Sequence, residues 1–180
     1  MTIPVPKLKA IILYFCTNTD GRFLGKTKLM KLFYFLDFMH VKKYGSPVTY
    51  DSYIHLEHGP IPSTIKNLVD TAADDVDNSI LADTISVVRQ EGFDLQRIVS
   101  KRTFSERDAK YFTESEIEIL NEVCNRFGDK NTKYIEDASH IEAPWQKTQL
   151  LEEIPYILAA EDDDFLTDKE EVELMLKIHG

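Results

Sequence analysis

One stretch of this chain, residues 26–44, predicts a helix with almost no polar side. It reads KTKLMKLFYFLDFMHVKKY, and a helix that is apolar nearly all round is buried, so we expect it at the centre of the fold. Thr27 is predicted to cap its start, and Gly45 to end it after Lys42 and Lys43 in the last turn. Its apolar residues are Leu29, Leu32, Phe33, Leu36 and Met39 on one stripe, and Met30, Tyr34, Phe35, Phe38 and Val41 beside it.

Length and composition favour one folded domain in the cytoplasm. The chain has 180 residues, of which 43% are hydrophobic and 11% aromatic, which is enough for a sizeable core. No run of 18 apolar residues occurs, so we expect no membrane-spanning helix. The apolar run at 10–16 lacks a following small-residue cleavage site, which argues against a signal peptide. Cys16 and Cys124 are expected to be reduced, buried thiols.

Strand signals are few and short. Residues 53–58 have strand character, and Gly-Pro-Ile-Pro at 59–62 predicts a turn. Alternating apolar residues predict two more strands, at 85–89 and 95–99, around a Glu-Gly turn at 91–92. We expect these strands and residues 53–58 to form one small antiparallel sheet.

Helix signals account for most of the remaining chain. Thr-Glu-Ser-Glu at 113–116 is a capping box, which predicts a helix that ends at Gly128. A second box at 167–170 predicts a last helix with Val172 facing inward. Residues 71–83 are acidic and weakly patterned, so they are predicted to form a loop. Further helices are predicted over 7–17, over 62–69, over 132–140, and from Pro144 through Trp145.

Charge is distributed unevenly along the chain, whose net charge is −10. Residues 1–50 hold eight Lys or Arg and two Asp, a net of +6, so the rest of the chain holds −16. Residues 152–180 contain ten acids and two lysines. We predict a mainly helical, single-domain α+β fold with a buried central helix and a small antiparallel sheet. The domain is expected to cover 1–158 and an acidic helical extension 159–180.

Three patterns resemble catalytic or metal sites but have the wrong spacing. The run at 21–27 ends in Gly-Lys-Thr, yet three residues separate its glycines where a phosphate loop needs four. His55 and His58 would point to opposite faces of a strand and so could not share a metal. Ser-His-Ile-Glu at 139–142 has the residue types of a hydrolase, but neighbours in sequence cannot align as nucleophile, base and orienter. We therefore expect no catalytic residue, metal or cofactor.

The uneven charge leaves two kinds of partner open. Lysines on the predicted central helix lie among aromatic residues, a combination that also occurs where proteins contact nucleic-acid phosphates. The acidic C-terminal part indicates instead a basic protein partner. The lysines in question are Lys26, Lys28, Lys31, Lys42 and Lys43.

Several short motifs follow one another in an order that indicates a family. They are KLMKLFYF at 28–35, YGSP at 44–47, HGPIP at 58–62, TESE at 113–116, Phe-Gly at 127–128, Ser-His at 139–140 and Pro-Trp at 144–145. On these residues, and over roughly positions 8–158, the chain resembles the Panacea domain, the SocA-like antitoxin family that also includes phage-associated proteins. The motif positions, expected to be structural or to bind a partner, are Lys28, Leu29, Lys31, Leu32, Tyr34, Phe35, Tyr44, Gly45, His58, Gly59, Pro60, His140, Pro144 and Trp145.

The resemblance implies a non-enzymatic antitoxin that binds and neutralises a cognate toxin encoded beside it. Its SocA branch implies an adaptor that hands the toxin to a protease. The alternative is a prophage-associated regulator that binds nucleic acid through the basic N-terminal part. Leu36-Asp37-Phe38 and the acidic tail depart from the commonest form of the family. We expect that tail to meet a basic toxin, and we expect no membrane partner.

Overall fold

A computed structural model describes residues 3–89 and 96–179, and its fold is the predicted mainly helical α+β domain. Helix α2 is central, since 14 of its 19 residues are buried. The helices are α1 (Val5–Asn18), α2 (Lys26–Tyr44), α3 (Ser63–Asp74), α4 (Glu106–Ala109), α5 (Glu114–Phe127), α6 (Thr132–His140), α7 (Ala143–Gln146) and α8 (Lys169–His179). The strands are β1 (Tyr53–Leu56), β2 (Gly59–Pro62), β3 (Ile85–Arg89), β4 (Gln96–Ser100) and β5 (Glu153–Ile154).

The two ends of α2 are set by glycines. Gly45 has a φ of 78°, in the left-handed region, and its N–H donates to the carbonyl of Val41 at 2.9 Å, so the predicted stop is confirmed. At the other end the predicted Thr27 cap is wrong, because the helix has already begun at Lys26 after Gly25. Gly25 itself has an extended backbone, with φ −96° and ψ 173°, and lies antiparallel to Arg97 of β4.

A three-stranded antiparallel sheet, in the order β2-β1-β5, packs beside α2. The prediction of a turn at 59–62 is wrong: these residues form β2, and the hairpin turns at Glu57 and His58 instead. Two prolines are tolerated in β2 because it is an edge strand. Proline has no N–H to donate, and on the open edge of a sheet no neighbouring strand needs that donor.

Strands β3 and β4 form a separate two-stranded sheet, so the prediction of one common sheet is wrong. The N–H of Ile98 in β4 donates to the carbonyl of Leu24 at 2.9 Å, just before α2. The ribbon is therefore attached to the start of the central helix rather than to β1. The predicted turn at 91–92 lies outside the described residues.

The helix after β2 is longer than predicted. Ile65, Val69 and Ala72 of α3 are all buried, so the inward face continues past residue 69. A single 3₁₀ turn, Val76–Asn78, follows, and the prediction of a loop over 71–83 is accordingly wrong for its first part.

Capping interactions define two of the later helices. The box at α5 is confirmed: the N–H of Glu116 donates to the hydroxyl of Thr113 at 3.3 Å, and its carboxylate accepts the N–H of Thr113 at 3.0 Å. At α8 the predicted Thr167 box is wrong. Asp168 is the cap, since its carboxylate accepts the N–H of Glu170 at 2.7 Å.

The C-terminal segment packs on the rest of the chain. Val172 of α8 is fully buried, and the N–H of Leu166 donates to the carbonyl of Lys42 at 2.9 Å. The proposed boundary between residues 158 and 159 stays a prediction. Among the helices within 3–89 and 96–179, none has both the length and the apolar content that crossing a bilayer requires. Cys124 is buried, Cys16 is partly buried, and both are free thiols.

Candidate functional site

Five motif residues from four elements meet at one place beside α2. Lys31 lies in the second turn of α2, Gly59 and Pro60 begin β2, His140 ends α6, and Trp145 belongs to α7. The fully buried ammonium of Lys31 donates to the carbonyl of Pro60 at 2.7 Å. This bond joins the central helix to the edge strand β2.

Gly59 has no room for a side chain. A Cβ at this position would lie 2.7 Å from the hydroxyl of Ser139, 3.0 Å from Nζ of Lys31 and 3.1 Å from Nε2 of His140. Its φ of 93° is also in the left-handed region, which residues with a Cβ rarely adopt. Close approach and backbone conformation therefore both require glycine here.

Aromatic stacking completes the cluster. The imidazoles of His140 and His55 both stack on the indole of Trp145, with ring centroids 4.0 and 4.5 Å away. Nδ1 of His55 lies 2.9 Å from the hydroxyl of Thr148, which ties β1 to the segment after α7. Within the part of the chain that the structure describes, Nε2 of His140 and Nε1 of Trp145 are buried without a hydrogen-bond partner.

Burial dominates the electrostatics of this cluster. It lowers the pKa of Lys31 to about 7, against the opposing effect of the nearby Glu136 carboxylate. It likewise lowers the pKa of His140 and of His55, because the charged imidazolium is poorly solvated there. The cluster thus disfavours positive charge on each of these three bases.

The motif residue Lys28 has a different structural role, one turn earlier on α2. Its ammonium donates to the carbonyls of Gly128 at 2.9 Å and Lys130 at 2.6 Å, just beyond the C-terminus of α5. Carbonyls at a helix C-terminus lack partners within the helix and carry partial negative charge, so a lysine is a suitable cap. Burial nonetheless lowers the pKa of Lys28.

Lys42, near the end of α2, is almost completely buried among carboxylates. Its ammonium lies 2.8 Å from Glu142, 2.9 Å from Asp162 and 2.9 Å from Asp164. Burial alone would lower the pKa of Lys42, but the three carboxylates outweigh it and raise that pKa. This cation attaches the acidic C-terminal segment to the central helix.

The family model of the SocA-like antitoxin Panacea domain matches residues 29–146, about two thirds of the chain. The chain belongs to this family. Neither the curated proteins nor the solved structures give a match. The matched region contains all of the motif positions except Lys28, which immediately precedes it.

Most motif positions of this Panacea domain are interior. Leu29, Leu32, Tyr34 and Phe35 have no exposed surface and belong to the hydrophobic core. Pro144 is buried in the first turn of α7. The other motif residues lie apart from the Lys31 cluster or at its edge: Tyr44 donates its hydroxyl to Glu118, Gly45 ends α2, and Nδ1 of the exposed His58 lies 3.3 Å from Glu136.

The lysines of α2 do not form an open basic surface. Lys28, Lys31 and Lys42 are buried and bound internally, so they cannot contact a nucleic-acid backbone. Lys26 and Lys43 are more exposed, but each is engaged by carboxylates of the domain itself. These lysines are therefore engaged in contacts within the domain itself.

Two important residues, Ser139 and Asp37, are not among the predicted motif positions. The Ser139 hydroxyl, which approaches Gly59, donates to the carbonyl of Glu136 at 2.7 Å.

Asp37, a departure from the commonest form of the family, has a buried carboxylate that accepts the N–H groups of Val48 and Thr49 at 2.8 and 2.7 Å. An acid inside an apolar helix was the available signal, because a buried carboxylate requires hydrogen-bond donors. Asp37 also accepts the hydroxyls of Thr49, Tyr53 and Tyr156.

The buried side chains of the Lys31 cluster are suited to holding the fold. Lys31 and Ser139 have no exposed surface, so a substrate cannot reach either side chain. His55 is buried in β1 and His58 lies exposed in the hairpin turn, so the two do not form a metal pair. In residues 3–89 and 96–179, no group of three His, Cys, Asp or Glu side chains is arranged to hold a metal ion.

Proposed function

We propose that this Panacea domain acts in the cytoplasm as an antitoxin that neutralises a cognate toxin by direct protein binding. The observation that carries the proposal is the family match over residues 29–146. The interior position of most motif residues supports it further, because they build a scaffold and leave partner recognition to the surface. Folding and binding are then assigned to different sets of residues.

The exposed acids of α8 favour a basic partner. Glu170, Glu171 and Glu173 are exposed, and Leu174 and Ile178 add apolar area on the solvent side of the same helix. An acidic surface speeds the encounter with a basic protein and gives an association that weakens as salt is added.

Co-expression tests the antitoxin function directly. The short reading frame beside this gene is expressed with and without the Panacea domain, and growth and co-purification are measured. Restored growth together with a stable complex is expected. A neighbour that is harmless alone, or one whose toxicity persists without any complex, would contradict the proposal.

Charge reversal tests the acidic surface more cleanly than truncation does. Deleting the tail would remove Asp162 and Asp164 from the buried Lys42 ammonium and so disturb the fold. The double variant Glu170→Lys/Glu173→Lys should weaken toxin binding and flatten its dependence on salt. A matched control at the junction of α3 and the following 3₁₀ turn, Asp75→Lys/Asp77→Lys, changes net charge equally and should leave toxin binding near the wild-type value.

The adaptor role of the SocA branch is a finer form of the same proposal. It is tested by the half-life of the toxin after its synthesis is stopped, in cells with and without the Panacea domain. A shortened half-life supports delivery to a protease. An unchanged half-life with restored growth supports neutralisation by binding alone.

A further inference from the structure

Two exposed leucines occupy a tight turn just before β5. The N–H of Glu152 donates to the carbonyl of Gln149 at 3.0 Å, which closes a four-residue turn with Leu150 and Leu151 at its centre. Leu151 has a φ of 71°, the left-handed value that a type II turn requires at its third residue. Glycine is the usual residue at this position, because it has no Cβ to crowd the backbone.

The turn is firmly attached to β1. The N–H of Leu151 donates to the carbonyl of His55 at 2.8 Å, and the N–H of His55 donates to the carbonyl of Glu152 at 2.8 Å. Two residues thus oppose one, as in a β-bulge whose first residue is commonly a left-handed glycine. The N–H of Gln149 also donates to the carboxylate of Glu152 at 2.7 Å. The backbone geometry is therefore held in place from several sides.

Folding gains nothing from leucine at the tip of this turn. Leu150 is 59% exposed and Leu151 is 72% exposed, so little apolar area is removed from water. Leu151 also carries the strain of a left-handed backbone, which glycine would relieve. A residue that is disfavoured by both strain and exposure, in a rigidly held turn, is accounted for by a contact outside the chain.

We propose that Leu150 and Leu151 form a docking knob that inserts into an apolar pocket with a basic rim on the toxin. The toxin as partner rests on the proposed function. The basic charge of the pocket rim on the toxin is inferred from Glu152 and Glu153 of this chain, which are exposed, acidic and directly follow the knob. Rigidly presented apolar side chains beside charged residues match the usual layout of a protein interface, which has an apolar centre and a polar rim.

Three substitutions of Leu151 distinguish a role in docking from a role in the stability of the fold. Leu151→Gly should raise the denaturant midpoint of the antitoxin, because it relieves strain, while weakening its affinity for the co-expressed toxin at least tenfold. Leu151→Asn, which tolerates the left-handed backbone but is polar, should also weaken binding. Leu151→Met keeps an apolar side chain in the same strained position and should retain affinity within about threefold.

A control comes from the other sheet. Val88 is 48% exposed on the solvent face of β3, and Val88→Thr removes similar exposed apolar character without affecting the turn. It should leave toxin binding unchanged. The purified neighbouring gene product is the probe, and binding is measured by calorimetry together with chemical unfolding of each free variant.

The outcomes distinguish this inference from the proposed function. If wild type binds the toxin and Leu151→Gly or Leu151→Asn binds equally well, the docking knob is wrong and the antitoxin function stands. If Leu151→Gly lowers the denaturant midpoint, the strain argument is wrong. If wild type does not bind the toxin at all, both the proposed antitoxin function and the docking knob are wrong.

Discussion

Nζ of Lys31 lies 2.7 Å from the carbonyl oxygen of Pro60, and this bond joins the second turn of the central helix to the start of an edge strand. The ammonium is fully buried, and burial lowers the pKa of Lys31 to about 7. A buried donor that loses its charge readily still satisfies the carbonyl as a neutral amine. The contact therefore survives deprotonation, and it gives the fold a measurable dependence on pH.

Replacing Lys31 should change how stability depends on pH. In the unfolded chain the lysine has its ordinary pKa of about 10.4, so between pH 7 and that value the unfolded state binds more protons than the folded state. The unfolding free energy of wild type should rise with pH relative to Lys31→Met, by up to about 1.4 kcal/mol per pH unit. Urea unfolding at pH 7.5, 8.3 and 9.0 measures this.

The matched control for that series is Lys133→Met. Lys133 is exposed and pairs with Asp137, which raises its pKa rather than lowering it. The stability difference between wild type and this variant should not grow with pH. An equally flat difference for Lys31→Met would contradict the depressed pKa.

Gly59→Ala should be strongly destabilising, by about 2–5 kcal/mol, because left-handed backbone strain adds to a steric clash. The new methyl group would lie 2.7 Å from the Ser139 hydroxyl and about as close to Lys31 and His140. Gly21→Ala is the control, since the nearest atom to its Cβ is the end of the Arg97 side chain at 3.9 Å. Thermal and urea unfolding should show a change under about 0.5 kcal/mol for Gly21→Ala.

Some parts of this fold could be predicted from sequence and others could not, for a physical reason. The burial of α2 follows from apolar residues on nearly all sides of the helix, and the capping box at α5 follows from four adjacent residues. Both are local signals. The turn predicted for Gly-Pro-Ile-Pro is a strand because its place at the edge of a sheet depends on partners that are distant in sequence, whereas glycine and proline locally favour a turn. The convergence of Lys31, Gly59 and Trp145 depends on contacts between residues far apart in sequence, which no local pattern contains.

Lys42→Met should destabilise the protein by about 3–5 kcal/mol, because it leaves buried carboxylates without their cation. Glu142 and Asp162 would lose the ammonium that lies within 2.9 Å of both. The neighbouring Lys43 also contacts two carboxylates but is more exposed, so Lys43→Met should cost under about 1 kcal/mol. Urea unfolding at pH 7 measures both. Equal losses would show that burial does not distinguish the two lysines.

The buried carboxylate of Asp37 should make the contribution of this residue to the unfolding free energy more favourable at lower pH. Burial raises the pKa of Asp37 from 3.8 to about 6, although Thr49 and Tyr53 donate hydrogen bonds that oppose the shift. Between those values the folded state binds more protons, so the stability of wild type relative to Asp37→Asn should increase as pH falls from 6 to 4, by up to about 1.4 kcal/mol per unit. Asp20→Asn is the control, because hydrogen bonds from Arg22 lower the pKa of Asp20 from 3.8 to about 2, so its effect on the pH dependence falls below pH 4. The stability difference between wild type and Asp20→Asn should therefore stay nearly constant from pH 6 to 4.2. Urea unfolding of the three proteins at pH 4.2, 5.0 and 6.0 measures both differences, and parallel curves for wild type and Asp37→Asn would contradict the raised pKa.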